Sequence, residues 1–122
     1  MLFRSVDVVL VANGGEARIL RNEGKKGNNW VRLDLRGDGV KSNRSAIGAV
    51  VTIESGGKTL TREVIGARGY LSQPELVVHA GLGDATKIDK VTVRWPGKAA
   101  TSESWKNLDA GKTHVLEQGK PR

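Results

Sequence analysis

The chain has 122 residues, no cysteine and a formal net charge of +7. This length fits one domain with a short attached piece, and such a domain buries about 65% of its unfolded surface, enough to fold without disulfides. The absence of cysteine excludes disulfides, zinc–thiolate sites and thiol catalysis. No apolar run approaches the ~18 residues of a membrane-spanning helix, so we expect no membrane insertion.

The first predicted element is a strand–turn–strand unit. Residues 6–11 and 17–24 are the strands, Asn13-Gly14-Gly15 is the turn, and 25–29 is a polar linker. A lone hairpin has little apolar surface to pack on. We therefore expect residues 1–27 to be the end of a neighbouring domain, whose open edge could also pair with a second copy through residues 6–27.

Alternation of apolar and polar residues then predicts a series of half-buried strands. The predicted strands are 31–35, 47–53, 60–65, 76–79, 91–95 and 113–117. Short strands separated by glycine-rich turns predict an all-β fold, an antiparallel β-sandwich or barrel-like module with an N-terminal β-hairpin. We allow one helical turn within 101–108, and we interpret Gly81-Leu82-Gly83 as a tight turn.

The positive charge is spread along the chain. Residues 1–60 hold 10 Lys/Arg and 6 Asp/Glu, and residues 61–122 hold 10 and 7. A binder of polyanions or nucleic acid driven by a basic surface therefore remains an alternative. Aromatic residues make up only 4% of the chain, too few for a platform of stacked bases, so nucleic acid is not the expected partner.

The sequence contains no recognisable catalytic or cofactor motif. His79 and His114 are its two histidines, and neither stands at a metal-ligand spacing. A calcium site would need about six oxygen ligands, and Asp38, Asp84 and Asp89 do not form an acid-rich loop. We therefore predict no enzyme activity, no cofactor and no metal site, with calcium as the one exception left open.

Six polar and aromatic residues form the candidate ligand-binding set. They are Asn43, Arg44, Arg68, Tyr70, Gln73 and Trp95. Amides that donate and accept, planar guanidinium donors and flat rings suit a hydroxyl-rich ligand such as a polysaccharide. In the alternative interpretation these residues build the fold: Asn43 and Arg44 tie a loop to backbone carbonyls, while Tyr70 and Trp95 fill the core. The glycine-rich and apolar surroundings favour that alternative.

Five short motifs in chain order carry a resemblance to a known family. They are Asn28-Asn29-Trp30, Ser42-Asn43-Arg44 with Ile47-Gly48-Ala49, Gly69-Tyr70-Leu71-Ser72-Gln73, Gly81-Leu82-Gly83 and Val93-Arg94-Trp95-Pro96. Together they resemble the ASPIC/UnbV family, whose modules typically lie at the C-terminal end of FG-GAP repeat proteins. Two positions depart from the family pattern. Ala80 replaces an aromatic residue, and Trp-Pro-Ser-Gly is shortened to Trp95-Pro96-Gly97.

The resemblance implies a domain organisation and a context. Residues 1–27 would be the remnant of an FG-GAP propeller blade, 28–118 an ASPIC/UnbV-like β-sandwich and 119–122 a tail. The parent would be secreted or belong to the cell envelope, with any export signal upstream. The implied function is a non-catalytic module that docks on the adjoining propeller, or on an extracellular protein or glycan. A carbohydrate-binding module in the strict sense, with Arg68, Tyr70 and Trp95 in direct contact with the sugar, is the second hypothesis.

Overall fold

A computed structural model describes residues 7–23 and 27–121, and its regular structure in these ranges is entirely β. The strands are β1 (Val8–Leu10), β2 (Arg18–Leu20), β3 (Asn29–Arg36), β4 (Val50–Ser55), β5 (Lys58–Glu63), β6 (Val78–Gly83), β7 (Lys87–Arg94), β8 (Ser102–Asp109) and β9 (Thr113–Glu117). These predicted positions lie outside the described residues: the start of the first strand at Val6, the end of the second at Gly24, linker residues 25 and 26, and the last residue of the tail.

Two sheets pack as a sandwich, which confirms the predicted fold class. One sheet has the strand order β6-β3-β9 and the other the order β5-β4-β7-β8. The neighbouring strands are antiparallel except for β3 and β9, which run parallel from Arg32↔Thr113 to Arg36↔Glu117. The parallel pair arises because β9 follows the turn after β8 but crosses to the opposite sheet, where it lies beside β3.

The inward-facing side chains of the two sheets form one hydrophobic core. In β3 the residues Val31, Leu33 and Leu35 are buried while their neighbours face outward, as the alternation predicts. Removing each such side chain from water stabilises the fold by about 1.5–3 kcal/mol. The opposite sheet contributes Val51, Ile53, Val91, Val93 and Trp105.

The prediction of a helical turn within 101–108 is wrong, because residues 102–108 belong to β8. Trp105 is buried there opposite Val91, and Leu108 pairs with Ile88. Asn107 has a φ of 55°, a left-handed conformation that asparagine tolerates better than most residues. Because of this irregularity, the next side chain after Trp105 that faces the core is Leu108 and not Asn107. The alternation of apolar and polar residues that predicts a strand is therefore broken.

The interpretation of Gly81-Leu82-Gly83 as a tight turn is wrong in its position. All three residues continue β6, where Gly81 pairs with Trp30 of β3. The turn begins at the end of this strand and spans residues 82–85: the Ala85 N–H donates to the Leu82 carbonyl at 3.3 Å, and Gly83 has a φ of 63°.

The predicted N-terminal β-hairpin is confirmed as the two-stranded sheet β1–β2, with Val9 opposite Ile19. Residues 8–23 are all exposed. None of these residues belongs to the buried core of the sandwich. Its assignment to a propeller blade stays a prediction.

Candidate functional site

Three long loops and the C-terminal segment lie at one end of the sandwich. They are loops 37–49, 64–77 and 95–101 and the segment 118–121. The loops are packed together. A Cβ built on Gly66 would lie 3.4 Å from the Ile47 side chain, and one built on Gly97 would collide with the Lys41 carbonyl. Because binding residues concentrate on loops held by a rigid scaffold, this loop end is the candidate functional site.

Both ends of the Asn43 amide are hydrogen-bonded inside its own loop. Its Nδ2 donates to the Ile47 carbonyl at 2.8 Å, and the Ile47 N–H donates to its Oδ1 at 2.9 Å. The Arg44 side chain crosses over Gly39, where an added Cβ would lie 2.9 Å from the guanidinium Nε. In this geometry Asn43 and Arg44 shape the loop.

Asp38 organises the tip of the same loop. Its Oδ1 accepts hydrogen bonds from the N–H groups of Val40 at 2.9 Å, Lys41 at 2.8 Å and Ser42 at 3.2 Å. Its own N–H donates to Gln118 Oε1 at 3.1 Å, which ties the loop to the C-terminal segment. The Val40 N–H, followed by those of Lys41 and Ser42, lowers the pKa of the Asp38 carboxyl below its ordinary value.

Replacing Asp38 by Asn should reduce the loss of stability in acid. Because the native pKa of Asp38 is lowered from 3.8, its charged form stabilises the fold above about pH 4, and this contribution disappears as the pH falls through the native value. Urea unfolding measured at about pH 6 and about pH 3 should therefore show a larger loss for the wild type than for Asp38→Asn. Glu54→Gln, at an exposed position of β4, controls for the removal of one carboxylate. Equal losses in the wild type and Asp38→Asn would contradict the prediction.

Trp95 lies in the core and not on the surface. The residue is 1% exposed, and its ring meets that of Trp105 edge-on, with 6.4 Å between ring centroids. Its Nε1 donates to Glu103 Oε2 at 2.8 Å, and Glu103 also accepts from the Gly119 N–H. A buried ring offers no face to a ligand from solvent. This corrects the direct ligand contact expected of Trp95, which instead has the core position of the alternative interpretation.

Tyr70, unlike Trp95, is almost fully exposed, and its interpretation as a core residue is wrong. The Ser72 N–H donates to the Gly69 carbonyl at 3.2 Å, and the Arg68 N–H donates to the Ser72 carbonyl at 2.9 Å. These bonds close a tight turn in which Leu71 has a φ of 52°. Tyr70 is 94% exposed and Leu71 90% exposed. The turn therefore holds two large side chains out into solvent.

The structure thus divides the six candidate residues. Arg68 and Gln73 are exposed on the same loop as Tyr70, and Asn43 and Arg44 lie on the loop beside it. These five share the loop end, while Trp95 lies beneath it. Sequence reasoning missed Leu71; its signal was a leucine between two turn-forming residues in a segment without strand alternation.

Two further observations concern metals and membranes. Within residues 7–23 and 27–121, no group of three or more His, Cys, Asp or Glu side chains is placed to hold a metal ion. In that same part of the chain there is no helix of the length and hydropathy needed to cross a bilayer.

The fold and the loop end define a class: a two-sheet β-sandwich that presents long, mutually packed loops from one end. A model of the family described as ASPIC and UnbV matches residues 39–122. Since the match covers more than half of the chain, this protein belongs to the ASPIC and UnbV family. The matched range includes all six candidate residues, whereas β3, which contributes Val31, Leu33 and Leu35 to the core, precedes it. No curated protein matches the chain.

Proposed function

We propose that this domain is a non-catalytic interaction module of a secreted or cell-envelope protein with FG-GAP repeats, and that it docks on the adjoining propeller. Family membership supports the context, because ASPIC/UnbV modules typically follow such repeats. The observation that carries the proposal is the outward display of Tyr70 and Leu71 by a hydrogen-bonded turn.

The physical chemistry of this tip favours binding. Tyrosine is enriched at protein interfaces because it combines a large apolar ring with a polar end and has few side-chain torsions to order. The Gly69–Ser72 turn fixes the backbone before contact, which lowers the entropy lost on association. Val40, at the tip of the neighbouring loop, is 91% exposed and extends the apolar surface of the loop end.

The described residues offer little support for catalysis. His114 Nε2 lies 2.8 Å from the Asp109 carbonyl, and in the described part of the chain neither histidine contacts a serine, threonine or carboxylate side chain through a hydrogen bond. A general base needs such a partner within reach of a reacting group. The proposal therefore includes neither an enzyme activity nor a cofactor.

The N-terminal hairpin supports the proposed position beside a propeller. Its apolar side chains are 49–78% exposed and occupy both faces of the two-stranded sheet. They are Val8, Val9, Leu10, Val11, Ile19 and Leu20. Strands that are apolar on both faces are typical of sheets covered on both sides. We propose that residues 1–27 complete the last propeller blade, and that pairing of two copies through residues 7–23 is the alternative in the isolated chain.

Tyr70→Ala should weaken docking of the chain to the FG-GAP propeller of its parent about thirtyfold, as expected for a tyrosine hot spot of about 2 kcal/mol. The affinity is measured by titration calorimetry with the isolated propeller. Because Tyr70 is 94% exposed, the free energy of unfolding should change by less than about 0.5 kcal/mol.

Val115→Ala is the matched control, since Val115 is 49% exposed on the outer face of the three-stranded sheet. We expect it to bind the propeller like the wild type. If Tyr70→Ala binds as tightly as Val115→Ala, the loop tip is not the docking site. If the wild type itself does not bind the propeller, the proposed partner is wrong.

A further inference from the structure

The outer face of the three-stranded sheet carries a second group of polar and aromatic residues. Trp30 and Arg32 of β3 alternate with the buried Val31 and therefore face away from the core, as do His79 and Gly81 of the neighbouring β6. The register places Trp30 opposite Gly81 and Arg32 opposite His79. These four residues lie on the outer side of β6-β3, well away from the core position of Trp95.

The indole of Trp30 has an open flank. Trp30 is half-buried, and its ring meets the His79 imidazole edge-on at 89°, with 6.0 Å between centroids. A Cβ built on Gly81 would have no atom within 4 Å. The space above Gly81 is therefore free, with an aromatic side chain beside it. An indole fixed in this way suits the C–H face of a sugar ring, because its π face is electron-rich and its N–H can donate a hydrogen bond.

A hollow with a volume of about 200 Å³ adjoins this position. Its lining includes Arg62, Arg68, Pro74, Glu75, Leu76 and His79. His79 is shared with the Trp30 contact, so the hollow and the indole border one surface. The hollow is smaller than the ~300–1,000 Å³ pockets that enclose drug-sized ligands, and it fits one ring-sized group.

The charges at the hollow leave room for an anion. Glu75 is paired with Arg32, so its charge is compensated. Glu63 lines the hollow together with the two exposed arginines Arg62 and Arg68, which leaves one surplus positive charge there. The Arg68 guanidinium has no hydrogen bond or ion pair to any residue in 7–23 and 27–121. A planar guanidinium that is free in this way binds a carboxylate through two parallel hydrogen bonds.

One further donor lies beneath the surface. Arg32 Nε is buried and, among the described residues, has no hydrogen-bond partner. Leaving a buried donor unsatisfied costs free energy that a ligand oxygen or a water could recover. The outer face between Trp30 and Glu75 therefore contains a hydrogen-bond donor without an acceptor.

We propose that this outer face binds an acidic polysaccharide made of hexuronate units. One sugar ring lies above Gly81 beside Trp30, and a carboxylate of the polysaccharide is bound by Arg68 in the hollow. The proposal goes beyond docking on the propeller, because its sugar ring lies on the outer sheet face. Its second contact, Arg68, stands at the base of the turn that carries Tyr70 and Leu71. The proposal replaces the buried Trp95 with Trp30 as the aromatic partner of a sugar.

The test is a titration of the complete 122-residue chain with polygalacturonate and with its methyl-esterified form, at about 0.15 M salt to screen diffuse charge. We expect tighter binding to the acidic form. Gly81→Thr and Arg68→Gln should each weaken binding about tenfold, the first by filling the space beside Trp30 and the second by removing a charged hydrogen-bond donor. Threonine suits a strand, and its Cβ at position 81 would meet no atom within 4 Å.

Three variants make the result decisive. Arg18→Gln removes the same charge from β2, outside the sandwich, and should bind like the wild type, as should Tyr70→Ala. Gly81→Ser is the smaller replacement if Gly81→Thr does not fold. Wild-type affinity of the folded Gly81 variant would overturn the proposal, and so would equal losses in Arg68→Gln and Arg18→Gln, which would indicate diffuse attraction to the basic surface. Docking of the Gly81 variant to the propeller should not change, so the two proposals fail separately.

Discussion

Trp95→Ala should destabilise the domain by about 3–5 kcal/mol, a large part of the about 5–15 kcal/mol that a domain of this kind has available. The variant removes a ring that is 1% exposed and contacts Trp105, and it leaves a cavity between the two sheets. The free energy of unfolding is measured by urea titration. Tyr70→Ala is the matched control, because it also removes an aromatic ring but from a position 94% exposed to solvent.

Trp95→Phe separates the ring from its hydrogen bond. The phenyl ring retains much of the packing but cannot donate to Glu103 Oε2, which lies 2.8 Å from Nε1 in the native protein. We expect a smaller loss in the free energy of unfolding, about 1–3 kcal/mol, because the partly buried Glu103 carboxylate then keeps only the Gly119 N–H as a donor. If Trp95→Ala is as stable as Tyr70→Ala, Trp95 does not support the core.

The contrast between Trp95 and Tyr70 shows a limit of sequence reasoning. Both are aromatic residues with a polar end near glycine, and the sequence gives them the same two interpretations. What separates them is local backbone geometry: Trp95 continues the inward side of β7 after Val91 and Val93, whereas Tyr70 is turned outward by a tight turn with Leu71 at positive φ. A positive φ at leucine has no sequence signal, because most residues avoid it.

The strands likewise differ in how well the sequence predicts them. Residues 31–35 alternate without interruption, and β3 is accordingly the element that the pattern locates best. In β8 the positive φ of Asn107 interrupts the alternation, and the sequence pattern therefore does not predict this strand. Local periodicity therefore predicts an element only where the strand is regular.

The proposed sugar site depends on long-range register. Trp30 and His79 are 49 positions apart, and only the pairing of β3 with β6 brings their rings to 6.0 Å. The sequence contains both residues but no information on which strand neighbours which. The same holds for the parallel pairing of β3 with β9, since a strand that follows a short turn would ordinarily be expected beside its predecessor.

Gly37→Ala should cost about 3 kcal/mol, because the new methyl group has no space. A Cβ at this position would collide with the Asn43 carbonyl oxygen and lie 2.5 Å from Ser42 Oγ. Neither group can move freely: Asn43 O accepts from the Ala46 N–H at 3.0 Å, and the Ser42 hydroxyl donates to Gln118 Oε1. The Gly37 N–H itself donates to the Arg44 carbonyl at 3.1 Å. Relief of the clash therefore requires the base of loop 37–49 to open, with loss of these bonds.

Gly69→Ala is the matched control for this loss, measured by the same urea titration. Neither Gly37 nor Gly69 has a positive φ, and a Cβ on Gly69 would have no atom within 4 Å. The two substitutions restrict the unfolded chain equally, which by itself stabilises a protein by about 0.4–1 kcal/mol where the native backbone is compatible. The difference between the variants therefore isolates the collision with loop 37–49. A difference near zero would show that this loop yields without cost, and would remove the physical reason for treating the loop end as a rigid scaffold for Tyr70 and Leu71.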